Sequence, residues 1–178
     1  MEKGDLSNMK RRLAAMACIV LLACVASVSA QSHDWREYVY PDDGFALSFP
    51  SEPTLTKSMV PLKNGGEAEL HQYSVDAGSY AFMADVSTYA PSANALSLTG
   101  ARDGMVSAVK GNLVSEMPIS LGTYPGLQIE FETQGFHARA RLYIVGRKLY
   151  QILSGADSDK PISQNTTRFF ESFRLLGG

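Results

Sequence analysis

"LQIEFETQGFHARARLYIV", residues 127–145, reads as two strands folded about Gln134-Gly135, because a two-residue turn that tolerates positive φ separates two runs of alternating polarity. Folding the segment there sets its register. Leu127, Ile129 and Phe131 fall opposite Leu142, Ala140 and Ala138 on one face, and Gln128, Glu130 and Glu132 fall opposite Arg141, Arg139 and His137 on the other. Large apolar residues meet small ones, and acids meet bases. A second turn at Gly146-Arg147 returns the chain as "KLYQILS", which sets Tyr143 opposite Tyr150 and Ile144 opposite Leu149. Both faces are now apolar, the pattern of strands covered from two sides.

Strand signals continue toward the N-terminus. "TYPG", residues 123–126, reads as a Pro-Gly turn leading into this hairpin. "SYAFMADVSTY", residues 79–89, alternates with period two, and "LTKSMVPL" and "EAELHQYSV" flank Asn64-Gly65-Gly66, a strong hairpin signal. Trp35 to Tyr40 ends at "PDDG", a tight turn, after which Phe45, Leu47 and Phe49 of "FALSF" share one face. Two segments change to helical spacing. Residues 94–113 place Leu98, Met105, Val109 and Leu113 near one stripe, though Gly100, Gly104 and Gly111 each cost a helix about 1 kcal/mol against Ala. At the C-terminus Pro161 suits a first helical turn, and Ile162, Thr166, Phe169, Phe170 and Phe173 form a stripe expected to lie buried on a sheet.

Together "YPDDGFALSFPSEP", "YPGLQIEF", "GRKLYQIL" and "RFFESFRL" resemble exported bacterial proteins related to the PsbP-like family, whose fold is shared with the Mog-type Ran-binding proteins. The resemblance spans most of residues 35–176. It implies an α+β fold, with an antiparallel sheet flanked by helices in an α/β/α sandwich. It also implies a role in binding or accessory assembly, with no catalytic centre to carry over.

The first thirty residues speak of destination. Lys10, Arg11 and Arg12 precede an apolar run from Leu13 to Val25, and Val28-Ser29-Ala30 fits the small-x-small cleavage rule of a secretory signal. The run is shorter than the roughly 20 residues a membrane-spanning helix needs. Residues 1–30 are therefore expected to be cleaved, leaving residues 31–178 as a single exported domain, periplasmic or secreted, without a transmembrane segment. Glu2 and Asp5 ahead of the basic cluster make Met9 a candidate start beside Met1. An alternative processing is also written here: Leu21-Leu22-Ala23-Cys24 resembles a lipobox, in which Cys24 would carry lipid and tether the chain to the membrane. Cys18 and Cys24 are the two cysteines, so cleavage after Ala30 removes both disulfide and thiolate-metal chemistry.

Composition excludes more than it assigns. The whole chain has 16 basic and 18 acidic side chains; without Lys3, Lys10, Arg11, Arg12, Glu2 and Asp5 the counts are 12 and 16. That balance does not suit a nucleic-acid binder, which would present a strongly basic face. No nucleophile elbow, dinucleotide fingerprint, phosphate-binding loop or H-E-x-x-H motif is present. His33, His71 and His137 lack partners at metal-ligand spacing, so neither metal nor cofactor is expected. Asp42 and Asp43 are expected to be solvated in their turn, and Glu130 and Glu132 to be cross-strand ion-pair partners rather than an acid-base couple. Asn165-Thr166-Thr167 fits a glycosylation sequon but falls in the expected helix.

One asymmetry remains. Residues 133–156 contain no acid, while Arg139, Arg141, Arg147 and Lys148 make a local basic hairpin in an acidic chain. Either these side chains form a solvated, ion-paired sheet face, or they dock an acidic envelope protein or another anionic envelope component. The functional expectation is a non-catalytic exported binding or accessory module of the cell envelope; the alternative is an envelope hydrolase whose site assembles only in three dimensions.

Overall fold

The computed structural model describes residues 35–62, 66–91, 96–133, 135–162 and 164–177. The leader with Cys24 and Met9, His33, and the turn residues Asn64, Gly65 and Gln134 lie outside that set. In chain order the elements are β1 (Arg36–Tyr40), β2 (Phe45–Phe49), β3 (Thr54–Pro61), β4 (Glu67–Asp76), β5 (Tyr80–Tyr89), α1 (Leu98–Ala108), β6 (Asn112–Leu121), β7 (Tyr124–Thr133), β8 (Phe136–Val145), β9 (Lys148–Asp157), α2 (Gln164–Glu171) and β10 (Arg174–Leu175). Strands β3-β4-β5-β9-β8-β7-β6 form one seven-stranded sheet and β1-β2-β10 a second. Every pairing between these strands is antiparallel.

The hairpin that opened the sequence reading forms in the expected register. Ile129 pairs with Ala140, Glu130 with Arg139 and Gln128 with Arg141, while Tyr143 pairs with Tyr150 and Ile144 with Leu149. The architecture expected around it does not form. An α/β/α sandwich needs helical layers on both sheet faces, and the described residues hold helix only in α1, of 11 residues, and α2, of 8. One face of the large sheet is covered mainly by the second sheet, with α2 beside it; the other, among the described residues, packs against α1. The protein is a mostly antiparallel β structure of two sheets.

Three local expectations also change. The turn before β7 lies at Gly122-Thr123, where Gly122 takes φ +58, and Pro125 and Gly126 belong to the strand. Residues 112–121 form β6 instead of the end of a helix, so Leu113 lies in a strand and α1 stops at Ala108. Pro118 is tolerated there because β6 is an edge, where one side of the strand needs no ladder partner. Pro161 lies ahead of α2 rather than in its first turn, since that helix starts at Gln164.

The two faces of the large sheet are packed differently. On the first, Phe45, Leu47 and Phe49 of β2 and Phe169, Phe170 and Phe173 at the C-terminus interlock with Tyr73, Phe82, Val86, Tyr143, Tyr150 and Ile152 of the sheet. Phe169 is fully buried, with ring centroids at 5.1 Å from Phe82, 5.4 Å from Phe49 and 6.3 Å from Trp35. Phe173 lies parallel to Tyr143 at 5.9 Å. Ser154 and Thr166 share a 2.9 Å hydrogen bond, which satisfies both buried hydroxyls as α2 crosses β9. On the second face Ile129, Phe131, Ala138, Ala140, Leu142 and Leu153 meet Leu98, Met105 and Val106 of α1.

The helical stripe at the C-terminus is therefore core. Phe169→Ala is expected to cost about 3–5 kcal/mol, because it deletes a fully buried ring whose neighbours belong to two sheets and cannot all close the gap. Urea denaturation of wild type and variant measures it; a loss under about 1 kcal/mol would mean that this face is loosely packed.

Candidate functional site

Two buried carboxylates stand apart from the apolar packing. The first is Asp43, expected in solvent and found only 4% exposed. Gly44 at φ +79 bends the β1–β2 turn inward over the large sheet, where the turn is held from several strands. His71 Nδ1 lies 2.9 Å from both Asp43 carboxylate oxygens, and the Tyr73 hydroxyl donates to Oδ2 at 2.5 Å. Tyr150 donates to the Asp43 carbonyl at 2.8 Å, and Lys148 to the Asp42 carbonyl at 2.8 Å. His71 Nε2 reaches Glu69 at 3.0 Å. Burial disfavours the imidazolium, but hydrogen bonds to Asp43 and Glu69 outweigh it and hold the ring's pKa above the ordinary value. Both ring nitrogens are occupied by carboxylates, so the arrangement staples a turn.

The second is Asp85, in the middle of β5, on the face roofed by α1. It is 8% exposed, and burial pushes its pKa up to about 6 from 3.8, opposed by a hydrogen bond from the Gln72 side chain. Its Oδ1 has no hydrogen-bond partner. The register explains the setting: Asp85 pairs with Gln72 on β4 and with Gln151 on β9, so three polar side chains form a row across the face that also carries Met83, Leu149 and Leu153.

Above that row lies a cleft of about 920 Å³ between α1 and the sheet. Met83, Leu149, Leu153 and Phe136 line its floor, and Gly100, Ala101, Gly104 and Ala108 face it from the helix. The cleft exists because the roof is thin. No residue of α1 is fully buried, and a Cβ added at Gly104 would meet nothing within 4 Å. Ser97 caps the helix by accepting from Gly100 N at 3.0 Å, which compensates in part for two glycines of poor helix propensity. An apolar hollow with a few convergent polar groups and a perturbed carboxyl group is the usual form of a small-molecule site.

The basic hairpin divides in two. Arg139 donates from Nε and Nη2 to Glu130 Oε1 at 2.8 and 2.6 Å, as the sequence pairing implied. Arg141 donates to Gln128 Oε1 at 3.0 Å and lies over the Phe170 ring at 4.9 Å. At the β8–β9 turn Arg147 donates to the Tyr89 carbonyl, and Lys148 to Asp42 as described. All four bases thus have partners inside the fold, and Arg141 contributes to the α2 packing. His71 and His137 sit on β4 and β8, and His33 lies outside the described residues; among the described residues no group of three or more His, Cys, Asp or Glu is placed to hold a metal ion.

No family model matches the chain, and no curated protein matches it. Among solved structures it is similar to a Pseudomonas aeruginosa protein of unknown function, at 10% identity and a TM-score of 0.36, covering 70% of this chain and 83% of that one. At that TM-score the likeness carries no argument about fold or function.

Asp85 and His71 both make stability fall as pH rises, the first because a burial cost appears and the second because an ionic contribution is lost. For Asp85 the folded-state pKa of about 6 lies above the ordinary 3.8, so the cost of burying its charge is absent below pH 3.8, grows between the two values and is constant above 6. Asp85→Asn should therefore stabilise the protein at pH 8 by up to about 3 kcal/mol and leave it nearly unchanged at pH 3.5. Chemical denaturation at the two pH values checks this. For His71 the raised pKa means that its ionic contribution is complete below about 6.5 and disappears as pH rises through the folded value. The destabilisation caused by His71→Ala should accordingly be larger at pH 5.5 than at pH 9, read from paired melting curves.

Proposed function

We propose that the protein is a non-catalytic, exported binding module of the cell envelope whose ligand occupies the cleft between α1 and the seven-stranded sheet. The observation that carries this reading is Asp85: a carboxylate kept at the floor of an apolar hollow, at a cost to stability, with one oxygen unserved by the fold. Export rests on Lys10-Arg11-Arg12, the apolar run and Val28-Ser29-Ala30. Processing at Cys24 instead would tether the same module to the membrane. The basic hairpin is the weaker place to look for a ligand, because its four cations already have internal partners. The alternative of an envelope hydrolase draws no support from the Asp43–His71 pair, since neither imidazole nitrogen is left to take a proton from a nucleophile. Among the described residues no helix is long and apolar enough to cross a membrane.

Filling the cleft tests the reading. An uncharged environment-sensitive naphthalene dye should bind wild type with enhanced emission, and Gly104→Phe, which directs a ring into open space under the helix, should weaken binding by tenfold or more while leaving the melting temperature unchanged or higher. Equal dye affinity in the two proteins would place the binding elsewhere.

A further inference from the structure

The cleft's charge is one-sided. Its charged lining residues among those described are Asp76 and Asp85, with no lysine, arginine or histidine. Asp76 is occupied locally, accepting from Gly78 N at 2.9 Å across its own turn. Asp85 is not: its Oδ1 has no donor, and the neighbouring Gln72 Nε2 donates to Met83 Sδ at 2.9 Å. A buried carboxylate in this condition is completed by a donor that also carries positive charge, because a neutral donor leaves the charge uncompensated in apolar surroundings.

We propose that the cleft takes an apolar amine, its hydrocarbon body lying against Met83, Leu149 and Leu153 and its protonated primary or secondary nitrogen donating to the Asp85 carboxylate. This rests on the cleft being the binding site. The polar row explains why an ammonium suits it better than a single hydroxyl. Gln72 and Gln151 flank Asp85 in register, and a primary ammonium has three donors to share between a carboxylate and a neighbouring amide oxygen. A fatty acid is excluded by like charge, since two carboxylates already line the space. Oδ1 is shielded from water in this arrangement, so pairing requires Asp85 to turn or its covering side chains to shift; weak screening in such a site strengthens the ion pair that results.

The experiment is displacement of the uncharged dye from the full protein at pH 8 by decylamine, 1-decanol and decanoate, each below its aggregation concentration. Decylamine should bind about 10- to 100-fold more tightly than decanol, the range for a hydrogen bond to a charged group, and decanoate least well. Asp85→Asn should remove the preference for the amine and keep the affinity for decanol, while Asp76→Asn keeps both. The preference surviving in Asp85→Asn, or being lost in Asp76→Asn, would overturn the assignment to Asp85. Decanol binding wild type as well as decylamine would overturn the amine and leave the cleft as an apolar site. Failure of the dye and all three ligands to bind would remove the proposal together with the reading beneath it.

Discussion

The constraint on which the structure depends is that β5 and β9, at the middle of the large sheet, are largely buried on both faces. Such strands need two covers, and this chain supplies two unlike ones. The first is dense. β2 has four fully buried side chains, and its rings reach those of β4, β9 and the C-terminal phenylalanines within about 5 to 6 Å of one another, the spacing at which aromatic edges and faces attract. The second is a single helix whose inward residues are mostly glycine and alanine. The same demand for burial is met by packing on one side and only in part on the other, and the cleft is the remainder.

The two buried carboxylates take their character from those covers. Asp43 enters the densely packed side as part of a tight turn, and every neighbouring element contributes to holding it: β4 through His71 and Tyr73, β9 through Tyr150 and Lys148, and the C-terminal segment through Leu176 N, which donates to the Gly44 carbonyl at 2.9 Å. Its buried charge is thereby compensated, and the arrangement ties the small sheet to the large one. Asp85 lies beneath the open side, where the helix presents neither base nor donor. One acid fastens the fold, and the other burdens it.

What the sequence disclosed followed from how local the determinants are. The 127–154 segment was legible to the residue because alternation, turn residues and cross-strand chemistry all specify one register. The arginine partners of Glu130 and Gln128 came from the same source. The layer architecture was not legible: whether a sheet is covered by helices or by another sheet depends on where β1, β2 and β10 dock, which no periodicity records. β6 was missed because "NLVSEMPISL" alternates poorly and contains Pro118, features an edge strand permits. Asp43 was misjudged because "PDDG" describes a turn without saying which way the turn faces. Asp85 carried a signal that could have been used. It is an acid at the centre of "SYAFMADVSTY", in a strand otherwise apolar or small, and a charge placed there must be buried wherever both faces are covered.

The thin roof also fixes how the interior is reached. α1 carries Gly100 and Gly104, is half-buried at most, and contacts β7 and β8 without joining any ladder, so lifting it breaks no strand pairing. Openings of this kind draw on the low end of a protein's range of local stabilities, while the seven-stranded ladder beneath is held by the global free energy. For the ligand proposed above, access to the cleft depends on displacing eleven residues, while the strand ladder beneath holds the polar row in place.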